Sequence, residues 1–293
     1  MNRKIKELDS KTLRLLQLNE LEMLLEFDRI CQKNNIKYSL DGGTLLGAIR
    51  HKGFIPWDDD VDVMMTGDDY EKFFEACKID LDEERFFFQD YRTDPGYRWG
   101  YGKLRRKDTE YIKLGHEKAK YRTGVCMDVF RLDPIPDGTT ERKSFLRRMF
   151  CVRKIQYSEI GRYAAKNVLI KLVFEILYLI PKRGVQKIQK LLLDKFDLES
   201  TENIVNAYLP FPRKECEFGY PKKMFDEFVD VEFEGFMFKS IKDYDTFLKM
   251  KYGDYWIIPP EDKRVGIMEP SKLELIDMTK EELLNKYRGD KTW

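Results

Sequence analysis

The sequence predicts an α/β fold, of the α+β kind, in which helices flank a mixed β-sheet, with a basic helical insertion and a C-terminal β-hairpin and helix. Three observations predict it. Over the first 137 residues, stretches with helical apolar spacing alternate with short apolar runs bounded by Gly, Pro, Asn and Asp. Residues 142–190 then have helical character throughout. Residues 228–238 alternate apolar and acidic side chains around Glu234-Gly235, which is typical of a hairpin.

The first elements place two glycines between a strand and a helix. Residues 12–34 carry apolar side chains at three- and four-residue steps, which predicts an amphipathic helix. A short β-like run over 36–40 follows, and Gly42-Gly43 interrupts it. Residues 44–50 then predict one or two helical turns, and 61–65 a strand.

The remaining elements follow the same alternation. A helix is predicted over about 67–78, with Thr66 as its N-cap. Strands are predicted over 85–91, 101–106 and 124–130. Beyond the basic region and the hairpin, a last helix is predicted over 242–252.

The charge balance excludes some classes of protein. The chain has 293 residues, 53 Lys and Arg, and 52 Asp and Glu, so its formal net charge is +1. Its hydrophobic fraction of 42% is too high for a disordered chain and too low for an integral membrane protein. Near-neutrality excludes nucleic-acid binding through overall charge. The balance hides segregation, because residues 142–190 carry 13 Lys and Arg against two Glu, a net +11.

The cysteines and the apolar runs indicate a cytoplasmic protein. Five scattered cysteines without a CxxC pair do not form a disulfide framework, which favours a reducing compartment. The polar N-terminus lacks the apolar core of a signal peptide. The longest apolar run, Val168–Ile180, includes Lys171 and Glu175 and is shorter than the roughly 20 residues of a membrane span.

Two interpretations of the basic region stay open. Residues 142–190 can be a solvated helical surface, with Val168–Ile180 as a buried core helix. Alternatively, the same combination of basic and apolar residues is typical of a helix that lies against an anionic bilayer. The second interpretation predicts a peripheral protein at the inner face of the cell membrane.

An acidic cluster at the start of a strand predicts a metal site. Four carboxylates lie within Asp58-Asp59-Asp60-Val61-Asp62. Strand alternation would place Asp60 and Asp62 on one face about 6–7 Å apart, and turn Asp59 away. Such hard oxygen ligands suit Mg²⁺ or Mn²⁺ bridged to a phosphate. The alternative is an ordinary acidic turn before a strand.

Two further features strengthen the metal hypothesis. The stretch Leu40-Asp41-Gly42-Gly43-Thr44 predicts a strand, a turn and a helix start where a phosphate can approach the backbone. The strand over 124–130 carries Asp128, a third acid that could complete a metal pair and accept a proton. Taken alone, these could be an ordinary turn and a structural carboxylate. Together they form the layout of nucleotidyltransferase-like folds, which transfer phosphoryl groups through two metals.

The amino-acid identities in this motif are more specific than the spacing of its glycines and acids. Residues 40–63 read LDGGTLLGAIRHKGFIPWDDDVDV, which closely resembles the LicD family. Similar segments are residues 27–31, 69–73, 127–136 and 252–260, so the resemblance spans about 15–264. It implies a single LicD-like domain over 1–293. Within it we expect a nucleotidyltransferase-like core at 12–137, the basic insertion at 142–200, and a C-terminal part at 201–293.

The resemblance also implies a function. LicD-like proteins are bacterial phosphotransferases that move phosphocholine from CDP-choline onto teichoic acid, lipopolysaccharide or related glycans, and fukutin-type relatives transfer ribitol phosphate. The chain is therefore expected to use a CDP-linked donor and a lipid-linked surface glycan, and to release CMP. Transfer of ethanolamine or polyol phosphate, a non-catalytic glycan-binding relative, and a nucleotidyltransferase that makes the donor remain alternatives.

Carried over by the resemblance, the site residues fall into two groups. The metal ligands are Asp60 and Asp62, with Asp58 as a helper and Asp128 as the third carboxylate, and the catalytic residues are Asp60, Asp62 and Asp128. The donor-binding residues are Gly42, Gly43, Thr44, Arg50, His51, Lys103 and Arg105. For Arg50 and His51 the alternative is a structural hydrogen bond. Strand alternation puts Lys103 and Arg105 together on one face, which is expected to lie toward the donor diphosphate.

The chain departs from the family pattern at one point. LicD sequences commonly place a histidine shortly after a Pro-Pro and Arg element. Here Arg264 is followed by Val-Gly-Ile-Met-Glu-Pro, without a histidine. This departure keeps the non-catalytic alternative open.

Overall fold

A mixed β-sheet of seven strands forms the centre of the protein, as a computed structural model describes it for residues 8–196, 199–207, 219–264, 266 and 270–289. The strands are β1 (Ser39–Leu40), β2 (Asp62–Thr66), β3 (Phe86–Gln89), β4 (Gly102–Arg106), β5 (Glu110–Lys113), β6 (Cys126–Ile135), β7 (Asn203–Val205), β8 (Tyr220–Pro221), β9 (Phe228–Phe233), β10 (Phe236–Ile241) and β11 (Pro270–Glu274). The central sheet has the order β1-β2-β6-β4-β3, and β7 pairs with both β6 and β8. Only its β2–β6 pair is parallel among the pairs of the described residues.

Helices cover this sheet and extend beyond it. They are α1 (Ser10–Lys33), α2 (Gly42–His51), α3 (Gly67–Asp80), α4 (Thr139–Ala164), α5 (Val168–Tyr178), α6 (Lys182–Leu193), α7 (Tyr244–Tyr252) and α8 (Lys280–Gly289), with short 3₁₀ turns at Lys222–Phe225 and Glu261–Lys263. The predicted α/β class is confirmed, and so are the helices at 12–34, 67–78 and 242–252. The Thr66 hydroxyl caps α3 by accepting a hydrogen bond from the amide of Asp69, as its position predicts.

The predicted β-hairpin is also confirmed. Strands β9 and β10 pair antiparallel, with Phe233 opposite Phe236 and the turn at Glu234-Gly235. Two other strands, β5 and β11, were not apparent from the sequence. They pair with each other across about half the chain, since Tyr111 lies opposite Leu273, and local patterns carry no information about so distant a partner.

Two predicted boundaries around the glycine pair differ in the structure. The run at 36–40 forms a strand only at Ser39–Leu40, because Asn35 has a positive φ of 51° and the amide of Ile36 closes a turn onto Cys31. Gly42 and Gly43 begin α2 instead of standing in a turn before it, with Asp41 as the N-cap residue. The two glycines therefore lie at the N-terminus of a helix that begins directly after β1.

The main hydrophobic core lies between the central sheet and α1, α2 and α3. Buried side chains of α1, such as Leu21, Leu24 and Phe27, pack there together with Val63 and Val129 from the sheet. A second, smaller cluster joins α4 and α6 to Ile135 at the end of β6. The basic region thus has apolar contacts of its own.

The basic region is helical, as predicted, but α5 is not a core helix. Within α5 only Phe174 is buried, where it packs against the ring of Tyr157. Most apolar side chains of α5 therefore face outward, which excludes the core interpretation of Val168–Ile180. Among the described residues, no helix combines the length and apolar character that crossing a membrane requires.

Candidate active site

A row of polar side chains crosses the sheet where β2, β6 and β4 meet. Asp62 on β2 pairs in register with Asp128 on β6, and Asp128 pairs with Lys103 on β4. Because neighbouring strands lie about 5 Å apart and register partners share a face, the two carboxylates are adjacent. The structure thus brings together two of the predicted metal ligands that are far apart in the sequence.

The acids that precede β2 lie close to one another. One carboxylate oxygen from each of Asp58, Asp59 and Asp60 lies within 4.8 Å of the other two. The prediction that Asp59 faces away is wrong, because β2 begins only at Asp62 and strand alternation does not apply before it. Asp59 is buried and contributes to the same cluster as its neighbours.

Burial and mutual repulsion shift the titration of these acids. Burial, and then the charge of Asp60, raises the pKa of Asp58 to about 8. Burial and the charge of Asp59 raise the pKa of Asp60 to about 6. Burial and Asp60 likewise raise the pKa of Asp62 well above its usual value. Such a set of crowded oxygens fits a hard divalent cation, whose charge removes the repulsion between them.

The N-terminus of α2 lies against this cluster. Gly42 has a positive φ of 53°, and its amide donates a 2.6 Å hydrogen bond to Oδ1 of Asp41. The same Asp41 oxygen forms a buried ion pair with Lys251 from α7. A Cβ at Gly42 would lie 3.5 Å from Oδ2 of Asp62, so the helix start is in contact distance of the acids.

Gly43 and Thr44, the next two residues of α2, lie against Asp58 and Asp62. A Cβ at Gly43 would lie only 2.5 Å from Oδ2 of Asp58, so a larger residue there would displace the Asp58 carboxylate. Thr44 is buried, and its hydroxyl accepts a 2.9 Å hydrogen bond from the amide of Asp62. Thr44 therefore ties the helix start to the start of β2, whereas its predicted contact with a donor phosphate stays a prediction.

Lys103 and Arg105 line one cavity, as strand alternation predicts. The cavity has a volume of about 100 Å³ and is also lined by Trp99, Tyr101 and Tyr121. Lys103 forms an ion pair with Asp128. Although burial alone lowers the pKa of Lys103, the charge of Asp128 raises it well above its usual value. The guanidinium of Arg105 is buried and donates to Gln89 and to the carbonyl of Gly124.

A second, smaller cavity adjoins the first and contains a residue that the sequence did not reveal. Its volume is about 20 Å³, and Glu20, Asp59, Asp60, Lys113 and Asp128 line it. Glu20 is 2% exposed, and its Oε2 makes no hydrogen bond within the described residues. Burial and the charge of Asp60 raise its pKa well above the usual value. An acid within an amphipathic helix carries no local signal of such a position.

Arg50 and His51 lie at the other end of α2, about 14 Å along the helix from Gly42. Nη1 of Arg50 donates a 2.6 Å hydrogen bond to the carbonyl of Tyr255 in the loop after α7. The ring of His51 lies edge-on to the ring of Trp57. Burial lowers the pKa of His51. The structure thus places both residues beside a loop, and their assignment to the donor stays a prediction.

Comparison with known proteins connects this geometry to a family. Residues 35–158 match the family model described as LicD/FKTN/FKRP, nucleotidyltransferase domain. The chain is 28% identical over 274 residues to a protein of Haemophilus influenzae named lipopolysaccharide cholinephosphotransferase LicD, covering 86% of this chain and 94% of the relative. Residues 35–158 therefore carry a LicD-type nucleotidyltransferase domain, and the similarity to LicD extends over most of the chain.

Two further relatives are similar to part of the chain. An uncharacterized protein of Rickettsia prowazekii is 42% identical over 150 residues, which is 51% of each of the two proteins. One of Rickettsia typhi is 44% identical over 52 residues, 18% of this chain and 17% of the relative. The family model covers the glycine pair, all four clustered acids and Asp128.

The departure from the LicD pattern lies next to the acidic cluster. Nε of Arg264 donates a 2.8 Å hydrogen bond to the carbonyl of Pro259, and its guanidinium lies over the ring of Trp57. A Cβ at Gly266 would lie 3.0 Å from Oδ2 of Asp59. The chain after Arg264, where LicD sequences commonly have a histidine, therefore reaches the acids at Gly266. Residues 265 and 267–269 lie outside the described residues.

Proposed function

We propose that this chain is a metal-dependent phosphotransferase that moves a phosphocholine-type group from a CDP-linked donor to a hydroxyl of a cell-surface glycan. CMP is the second product. The observation that carries the proposal is the meeting of Asp62, Asp128 and the acids of residues 58–60 at the N-terminus of α2. The name of the Haemophilus influenzae relative supports a transferase, choline phosphate as the group and a lipopolysaccharide-type acceptor.

The cation would be held by the carboxylates of Asp58, Asp60, Asp62 and Asp128. Their fit to Mg²⁺ or Mn²⁺ is supported by the close approach of the oxygens and by the raised pKa values of Asp58 and Asp60. When bound, the cation neutralises charge on the donor diphosphate and polarises the phosphorus that is attacked.

The donor diphosphate would lie at the start of α2. The first turn of a helix presents amide N–H groups and a partial positive charge, both of which attract phosphate. Because Gly43 has no side chain, the Asp58 carboxylate, and a cation that it would hold, can lie close to this helix start. Lys251 is held beside this helix start by its ion pair with Asp41, so that its ammonium offsets the negative charge of Asp41 next to the phosphate position.

Asp128 would accept the proton of the acceptor hydroxyl. As the acceptor oxygen forms its bond to the distal phosphorus, the bond from that phosphorus to CMP breaks, and the proton passes to a carboxylate oxygen of Asp128. Lys103 orients Asp128 through their ion pair. The cavity beside Lys103, with Trp99 and Tyr101 in its wall, is the space that the acceptor sugar would enter.

A donor screen tests this proposal. Purified protein, Mg²⁺ and a lipopolysaccharide acceptor are incubated with CDP-choline, CDP-ethanolamine or a CDP-polyol, and CMP release is measured. We expect the highest rate with CDP-choline, and a loss of about a thousandfold or more in Asp62→Asn and Asp128→Asn. The matched control is Asp68→Asn, which changes an exposed acid on α3 and should leave the rate unchanged.

Calorimetry of donor binding separates an enzyme from a non-catalytic relative. A catalytic site should bind CDP-choline much more tightly with Mg²⁺ than without it, and Asp62→Asn should remove that difference. Glycan binding without CMP release from any CDP-linked donor would contradict the proposal, as would wild-type turnover in either aspartate variant.

A further inference from the structure

Helix α5 presents an apolar surface to the outside of the protein. Six of its large apolar side chains are between 51% and 72% exposed, namely Val168, Leu169, Ile170, Leu172, Val173 and Ile176. We call these six residues the α5 surface. Exposed Ile188 and Leu191 on α6 add to the apolar character of the same basic region. An apolar face of this extent on a folded protein marks a binding surface.

Basic side chains accompany the α5 surface. Lys166 and Lys171 are exposed before and within α5, and Arg183 and Lys187 are exposed on α6. The two acids of residues 142–190 are both engaged by arginines: Glu175 pairs with Arg162, and the buried Glu159 pairs with Arg98. The region therefore presents positive charge together with its apolar side chains.

The combination of apolar and basic side chains indicates what binds to the α5 surface. We propose that the α5 surface lies in the boundary between headgroups and acyl chains of a bilayer that contains anionic lipid. An anionic bilayer matches both the apolar side chains and the surrounding lysines. Eleven residues are too few to cross a membrane, so the helix lies in the plane of the interface.

The α5 surface is connected to the candidate active site through packed rings. Phe174, on the inner side of α5, contacts Tyr157 with ring centroids 5.6 Å apart. Tyr157 contacts Trp99 at 6.2 Å, and Trp99 lines the cavity beside Lys103. A bilayer on the α5 surface would therefore lie close to the cavity proposed for the acceptor, where a lipid-linked glycan would be presented.

Vesicle sedimentation of the full chain, without donor or metal, tests this inference. We expect binding to vesicles of phosphatidylcholine and phosphatidylglycerol that is about tenfold or more tighter than binding to phosphatidylcholine alone, and that weakens with salt. Leu169→Glu with Ile176→Glu should weaken this binding by about tenfold or more. Lys171→Glu with Lys187→Glu should abolish the preference for phosphatidylglycerol.

A matched control tests whether vesicle binding depends on the α5 surface in particular or on any exposed apolar residue. Ile79→Glu introduces the same change at an 85% exposed residue of α3 and should leave vesicle binding unchanged. Failure of the wild-type chain to bind phosphatidylglycerol vesicles, or undiminished binding by the α5 double variant, would overturn the inference. So would a wild-type dimer that the double variant converts to monomer while vesicle binding stays the same. Because no donor is present, loss of this inference would leave the transfer reaction untouched.

Discussion

Helices α1 and α5 are both rich in apolar residues but have opposite environments. Fifteen residues of α1 are buried, and six of them are polar or charged. Of α5, with a far more apolar sequence, only Phe174 is buried. The apolar content of a helix therefore does not decide whether the helix is buried. What decides it is whether other elements cover the helix.

The neighbours of α1 explain how it tolerates buried acids. It lies across β4 and β6 and against α3, so that side chains from several elements reach it. Glu22 pairs with Arg85 and Arg106, and the Asp28 carboxylate accepts a hydrogen bond from Tyr38. The α5 helix packs mainly on α4, which leaves most of its circumference uncovered.

The largest effect on the free energy of unfolding is expected from removing a buried aromatic ring of α1. Phe27 is fully buried between Tyr38 and Phe73, with ring centroids 4.9 Å and 4.6 Å away. Phe27→Ala should lower the free energy of unfolding by about 4 kcal/mol, because it removes buried apolar surface and leaves a cavity. Urea denaturation measures the change. A loss below about 1 kcal/mol would contradict the assignment of α1 to the core.

A slightly smaller effect is expected from a buried acid of α1. Burial raises the pKa of Glu22, but the hydrogen bond and charge of Arg106 outweigh it and hold that pKa below its usual 4.5. Glu22→Gln should therefore cost about 3 kcal/mol at pH 7, since Arg106 loses its buried partner.

The pH dependence of that loss has a definite sign. A lowered pKa in the folded state gives stability that is present above about pH 4.5 and lost as the pH falls through the folded-state pKa. The difference between wild type and Glu22→Gln should therefore shrink in acid. The exposed Glu232→Gln is the control and should show no such difference at any pH. A pH-independent loss in Glu22→Gln would show that charge is not the cause.

A third variant removes the one buried ring of α5. Phe174→Ala should cost about 2 kcal/mol, less than the change in α1, because Phe174 lies near the surface. Amide hydrogen exchange should accelerate in α5 and remain unchanged in α1. Equal acceleration in both helices would mean that α5 does not open separately.

The smallest effect is expected on the outer face of α5. Leu172 is 55% exposed, so Leu172→Ala should change the free energy of unfolding by less than about 0.5 kcal/mol. The same substitution at the fully buried Leu24 of α1 should cost about 3 kcal/mol. Similar losses at the two positions would show that α5 is covered in the folded protein.

Much of the fold and of the candidate site was predictable, because the signals were local. Helical spacing predicted α1 and α3, and the alternation around Glu234-Gly235 predicted the hairpin. The glycine pair and the acids of residues 58–62 lie close together in the chain, so the sequence of this one segment was sufficient to recognise the resemblance to the LicD family. The pairing of β5 with β11 was not predictable, since its two halves lie about 160 residues apart.

The sequence by itself determined most of the helices and several of the strands, and also which residues carry the family motif, because these depend on neighbours along the chain. Only the tertiary structure decided that Asp62 lies beside Asp128, that Asp59 joins its neighbours and that Glu20 reaches the acids from α1. It also decided that α1 is covered and α5 is not. These outcomes depend on contacts between residues that are distant in the chain, and no local pattern specifies such contacts.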